Sequence, residues 1–181
     1  MMRSALIVGD LQVGILDNYA FTRTVVPPVT ELLPRARAAG VLVVFVRTAF
    51  RANGADVPGG IFETFYRAGA HFHEGSPGTE VAMEVTEDDV VVLKRRTSAF
   101  AGTDLDLLLR ARGVDSLAIT GVATSAMVAA TLYDASDRGY GLTVLRDGCA
   151  DHDPVVHELL VDKVFRARGA EILTCAEWPP H

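Results

Sequence analysis

The sequence predicts an α/β fold: a six-stranded parallel sheet with helices on both faces, as a single domain over residues 1–181. Three observations predict it. Short apolar runs recur at residues 4–9, 41–46, 89–93, 115–120, 142–145 and 170–174, and near-continuous Val/Ile/Leu runs are the mark of strands buried on both faces. Four stretches between them end on one punctuation, Ala39-Gly40-Val41, Arg112-Gly113-Val114, Arg138-Gly139-Tyr140 and Arg168-Gly169-Ala170, a glycine stop followed by an apolar strand. The chain has 181 residues, 49% of them hydrophobic, enough for one domain with a real core. Right-handed crossovers between such units put all strand C-termini on one edge, where ligands bind.

The elements follow in order. Residues 4–9 form the first strand, ending at Asp10, and residues 11–18 read as a loop. A helix opens near Pro27, where proline fits the first turn, and stops at Gly40; Pro34 inside it predicts a kink or an early end. The second strand, 41–46, ends at Arg47. Residues 49–80 read as irregular, punctuated by eight glycines and prolines, with Phe50, Phe62, Phe65, Tyr66 and Phe72 between them. Such a segment is either a pocket wall or lid, or a surface loop tucking its aromatics into the core. The third strand, 89–93, ends at Lys94. Thr103 caps a helix over 104–111, with Asp106 in a near capping box. The fourth strand, 115–120, turns through Gly121 into a helix that runs to about Asp137, capped by Thr124 or Ser125. That helix is apolar nearly all round, which asks for burial on more than one side and points to a subunit interface. The fifth strand is 142–145, Asp153-Pro154 opens a helix to about Ala167, and the sixth strand is 170–174.

Composition excludes several classes. A net charge of −6 gives no nucleic-acid footprint. No apolar run approaches the ~18 residues of a membrane span, and the N-terminus lacks a full secretory pattern, so a cytoplasmic location is expected. The two cysteines, Cys149 and Cys175, have no metal spacing and make no disulfide framework.

The strand ends deliver Asp10, Arg47, Lys94, the Gly121 elbow, and Asp147 with Cys149. Asp10 and Lys94 form a candidate acid/base pair, each tuning the other; the plain alternative is two charges where the chain leaves the core. The elbow's first-turn N–H groups and helix dipole suit an anion. Its side chain there, Met127, is a thioether and serves neither as nucleophile nor as acid or base. Arg47, Arg51, Arg95 and Arg96 are candidates to hold a substrate carboxylate, or are solvated surface charges. Cys149 is a substitute nucleophile or, as free cysteines usually are, a small buried hydrophobe. His71 and His73 lack a third metal ligand, so no metal is expected. His152 and His157 read as surface residues, and residues 80–89 as a solvated acidic loop.

Three blocks together resemble the isochorismatase-like hydrolase family: Asp10-Leu-Gln12, then Lys94 with Ser98-Ala-Phe100 and Thr103-Asp104-Leu105, then Gly121-Val122-Ala123-Thr124. The resemblance covers residues 4–174. It implies a three-layer αβα, Rossmann-like fold and a homodimer or homotetramer; no cofactor is expected. Most members are cysteine hydrolases that use an Asp, a Lys and a Cys, with an oxyanion hole near a cis peptide at the elbow. Carried over, these are Asp10, Lys94 and a cis bond at or next to Gly121–Val122, while the cysteine falls on Met127. The Asp-x-His metal ligands of nicotinamidases are missing after the second strand. One branch, the isochorismatases, uses no cysteine and hydrolyses a vinyl ether. Gln12, Phe50, Arg51, Phe100, Gly121, Val122, Thr124 and Ser125 are the substrate-binding candidates. The resulting expectation is a cysteine-independent hydrolase of a small organic molecule, with Asp10 as general acid/base paired with Lys94. A catalytically inactive relative that binds a ligand or partner is the alternative, and an amidase using Cys149 a third.

Overall fold

The protein is described by a computed structural model that covers residues 3–179. Six parallel strands, β1 (Ser4–Gly9), β2 (Leu42–Thr48), β3 (Val90–Lys94), β4 (Ser116–Val122), β5 (Gly141–Ala150) and β6 (Glu171–Leu173), form one sheet in the order β3-β2-β1-β4-β5-β6. This is the doubly wound arrangement. The order reverses between β1 and β4, where the connections leave in opposite directions and open a crevice at the strand C-termini.

Alternate residues of each strand serve opposite faces. Ala5 and Ile7 of β1 join one core with Leu105, Leu109, Leu132 and Phe165. Leu6 and Val8 join the other with Val29, Leu32, Phe45 and Phe72. The helices that cover these faces are α1 (Val13–Asn18), α2 (Val26–Ala38), α3 (Ile61–Ala68), α4 (Leu105–Ala111), α5 (Ala129–Asp137) and α6 (Pro154–Leu159). A π-helical turn, Thr124–Val128, leads into α5, and another, Leu160–Phe165, continues α6.

Several sequence expectations are corrected. The stretch after β1 contains α1, six residues long and too short to show a period. Pro34 does not end α2, which runs through it to Ala38; Pro34 and Thr30 are both exposed, so the carbonyl that the proline leaves unpaired faces water. Residues 49–80 hold a real helix, α3, between Gly60 and Gly69. Its apolar residues Ile61, Phe62, Phe65 and Tyr66 have helical spacing, and the glycines around it are its boundaries rather than signs of irregularity. Helix α4 starts one residue later than read, at Leu105, and Asp106 accepts a hydrogen bond from the Tyr140 hydroxyl (2.8 Å) instead of closing a capping box. Strand β5 continues past 145 to Ala150, with a register shift against β4 between Ile119 and Gly121. The acidic stretch 80–89 is not simply solvated. The Asp89 side chain is buried and holds Arg37 at 2.7 Å, which keeps its carboxyl below the usual range despite the opposing effect of burial.

Candidate active site

The register places the site. Thr48 lies beside Lys94 in the β2–β3 pair, and Gly9 lies beside Val46 and Gly121. Asp10 leaves β1 in the left-handed region, φ 59°, a conformation that Asp tolerates better than most residues. Its N–H donates to the Val46 carbonyl at 2.8 Å. The Lys94 ammonium lies 2.9 Å from Asp10 Oδ2, with the two side chains only 3% and 9% exposed. β3 and β1 are not neighbours, so Lys94 reaches across β2. There the Thr48 hydroxyl sits between the charges: Lys94 Nζ donates to Thr48 Oγ1 at 2.5 Å, and Thr48 Oγ1 donates to Asp10 Oδ1 at 2.9 Å.

Two glycines allow this closeness. A Cβ on Gly121 (φ 125°) would stand 2.1 Å from the Gly9 carbonyl oxygen. A Cβ on Gly9 would stand 1.6 Å from Met127 Cε. Met127 therefore packs its thioether down onto the end of β1, with Sδ accepting from Thr131 Oγ1 at 3.4 Å. The peptide bond Val122–Ala123 is cis, next to the position the resemblance implied.

Above Asp10, Thr48 and Lys94 opens a cavity of about 570 Å³. Ile15, Tyr19 and Phe21 form one side, and Ile61, Phe62, Phe65 and Phe72 another. Val122, Ala123, Ser125, Ala126 and Met127 contribute the elbow, and Thr97, Asp151 and His152 complete the lining. Of the two readings of segment 49–80, both hold in part: Phe62, Phe65 and Phe72 face the cavity, while Phe50 is fully buried against Phe62 and Tyr66.

The structure separates the sequence candidates. Asp10, Lys94, Met127, Val122 and Ser125 line the cavity together; the others stand elsewhere. Gln12 is buried beneath, donating to the Thr48 and Gly78 carbonyls and accepting from Thr48 N–H, so it fixes the loop geometry around Thr48. Phe50 is core. Arg51 is exposed and paired with Asp56 at 2.8 Å. Phe100 stacks on Tyr140 in the opposite core. Gly121 acts through its backbone. Thr124 is fully buried and bonded to His157 Nδ1 at 2.8 Å.

Neither Thr124 nor Ser125 caps the elbow helix, whose N-cap is Ala123. The cap comes from the end of the neighbouring strand β5: Asp151 Oδ2 accepts the Ser125 N–H at 2.7 Å. Arg47, Arg95 and Arg96 are held by carbonyls or carboxylates away from the cavity. Cys149 is not on the cavity wall. It is buried, its Sγ faces the Ile119 carbonyl, and burial pushes its thiol up to about 12. Burial also raises the Cys175 thiol. His152 is exposed, as read, and also borders the cavity, packed edge-on to Phe21. His157 is half-buried, and that burial lowers its pKa. His73 stacks on Tyr66. Among the described residues no three His, Cys, Asp or Glu side chains are grouped to hold a metal.

Sequence reasoning missed Thr48, Asp151 and the Tyr19–Phe21 wall. Thr48 had one available signal. Side chains alternate along a strand, so if Arg47 ends β2 on one face its successor occupies the other.

The arrangement supplies a carboxylate with two donors directed at it, at the base of a mostly apolar chamber. Such a group moves a proton to or from a bound molecule. Comparison with known proteins bears on the chemistry. A family model described as the isochorismatase domain matches residues 4–177. An isochorismatase family protein from Desulfovibrio vulgaris superposes with a TM-score of 0.91 at 31% identity, covering 98% of this chain and 96% of that one. A protein of Arabidopsis thaliana described as a probable inactive nicotinamidase is 32% identical, covering 97% of this chain and 94% of the relative. A ureidoacrylate amidohydrolase of Klebsiella pneumoniae is 30% identical, covering 84% of this chain and 75% of the relative. With the match running from the first strand to past the last, this chain belongs to the isochorismatase family.

Proposed function

We propose that the protein is a cysteine-independent hydrolase of a small organic molecule, with Asp10 as general acid/base and Lys94 as its electrostatic partner. The observation that carries this reading is the Asp10–Thr48–Lys94 cluster at the base of the cavity. No cysteine lines that cavity, and a nucleophile buried like Cys149 stays a thiol, which does not attack. The chemistry then falls to proton transfer and water. For a vinyl ether, Asp10 delivers its proton to the vinyl carbon, water adds to the oxocarbenium ion, and the hemiketal collapses to a carbonyl compound and an alcohol while the proton returns to Asp10. Lys94 offsets the carboxylate charge between the two steps.

The test is a screen of enol ethers, small lactones and amides, followed by Asp10→Asn and by thiol alkylation of the native enzyme. Loss of a general acid/base lowers turnover by about 10²–10⁴-fold, and alkylation leaves the activity intact. Activity that survives in Asp10→Asn, or that alkylation abolishes, sinks the proposal; the second result points to Cys149. A second reading, a ligand-binding member without turnover, is favoured by the absence of cysteine from the wall and by the relative described as a probable inactive nicotinamidase. It predicts saturable binding in the cavity and no product from any compound in the screen.

A further inference from the structure

We infer that the cavity takes a ring-bearing molecule that is neutral or cationic and turns carboxylates away, with Asp151 the residue that sets the preference. This deepens the proposed function and rests on its reading of the cavity as the substrate site.

Three observations carry it. The first is charge. The lining carries two carboxylates, Asp10 and Asp151, and one ammonium, Lys94, beside the His152 imidazole. The Lys94 ammonium is held by Asp10 and Thr48, so one carboxylate is left in excess. No arginine lines the cavity. Arg47, Arg51 and Arg95 are each engaged by a carboxylate outside it, and Arg96 by main-chain carbonyls.

The second is the elbow. A helix N-terminus is the ordinary anion-binding device of such a fold, through its free N–H groups. Here the Ser125 N–H is occupied by Asp151 Oδ2 at 2.7 Å, and the Ala126 N–H by the Ala123 carbonyl at 3.1 Å. The protein's own carboxylate stands where a substrate anion would dock. An incoming anion meets like charge there and finds these two N–H groups already taken.

The third is the wall. Tyr19 and Phe21 meet at 62°, and Tyr19 and Phe65 at 78°, so their ring planes lie steeply inclined to one another along the chamber wall. Electron-rich ring faces attract cations and stack on neutral rings, and offer nothing to an anion.

The experiment uses a matched trio: benzyl alcohol, benzyltrimethylammonium and phenylacetate, with affinities measured by calorimetry on the wild type and on Asp151→Asn. The asparagine keeps an oxygen for the Ser125 N–H and removes only the charge. The alcohol and the cation bind the wild type at least about ten-fold tighter than phenylacetate, the scale of one like-charge encounter near a protein surface. In Asp151→Asn phenylacetate gains about ten-fold and the alcohol is unchanged. Equal or tighter binding of phenylacetate by the wild type overturns the inference, and an unchanged ratio in Asp151→Asn removes Asp151 as its cause. Binding does not depend on turnover, so the two readings fail separately. The predicted preference without activity refutes only the catalytic role of Asp10. Asp10-dependent turnover of an anionic substrate refutes only the preference. If none of the three binds the folded protein, the inference falls and the catalytic role of Asp10 stands on its own test.

Discussion

Replacing Lys94 by methionine removes the positive charge paired with Asp10 and keeps most of the side-chain volume. With side chains 3% and 9% exposed, the pair is effectively out of water. Breaking such a pair from one side costs about 3–5 kcal/mol, because the remaining carboxylate is buried without a partner charge. Thr48 still donates one hydrogen bond to it, which places the expected loss toward the lower end of that range. In a chain of this size each kcal/mol moves Tm by about 2–4 °C, so Lys94→Met melts roughly 6–20 °C below the wild type. The double variant Asp10→Asn/Lys94→Met has no charge left in this cluster and recovers most of the difference, since swapping out both members of a buried pair is often close to neutral. Salt distinguishes this from a surface effect: the gap between single and double variants persists at 1 M NaCl, where exposed pairs are screened. Urea unfolding of the three proteins at low and high salt is the assay. A loss under about 1 kcal/mol in Lys94→Met, the size typical of an exposed pair, refutes the burial of this cluster. So does a double variant no more stable than the single.

Four further outcomes follow from the same geometry. Gly9→Ala drives a methyl into Met127 Cε, 1.6 Å away, and overpacking of this kind costs about 1–3 kcal/mol; the loss is relieved in Gly9→Ala/Met127→Ala, a coupling read from a double-mutant cycle by urea unfolding. Gly121→Ala is worse and has no such rescue, because its Cβ would meet the Gly9 backbone at 2.1 Å with φ at 125°; the variant is recovered insoluble or with a lower urea midpoint than Gly9→Ala. Iodoacetamide at pH 8 leaves Cys149 unlabelled in the native protein, since its thiol is pushed up to about 12, and labels it in urea; mass spectrometry gives the count. The pKa of His157 is lowered by burial, so as pH falls the unfolded chain takes up the proton first. Its contribution to stability is present above about pH 6.5 and is lost below it, so Tm drops between pH 7.5 and 5.5 by more in the wild type than in His157→Asn. His71 is lowered in the same direction, so the variant keeps some slope; a slope equal to that of the wild type removes His157 from the explanation.

The strands were legible because their residues must satisfy two apolar faces at once, and such runs have few other uses. The Asp10–Lys94 pairing is harder to read: sequence shows two charges at strand ends, but β3 and β1 are separated by β2. Only the strand order shows that Lys94 crosses a neighbour, and hence that Thr48 must stand between the charges. The elbow was misread for a related reason. Capping rules look at Thr124 and Ser125 because they are adjacent in the chain. The acceptor, Asp151, arrives from the end of β5, 26 residues later in sequence. It can do so because β5 runs five residues beyond its apolar stretch, through Asp147-Gly148-Cys149, where composition signals a loop. That extension rests on pairing with β4: Gly121 lies beside Cys149, and Val122 beside Ala150. Backbone hydrogen bonds to a neighbouring strand override local composition at this point. The same extension brings His152, which is exposed, to the edge of the cavity. The parts of the site that escaped the sequence are thus those fixed by a neighbouring strand rather than by the residues beside them in the chain. Asp151, which decides what charge the cavity accepts, is among them.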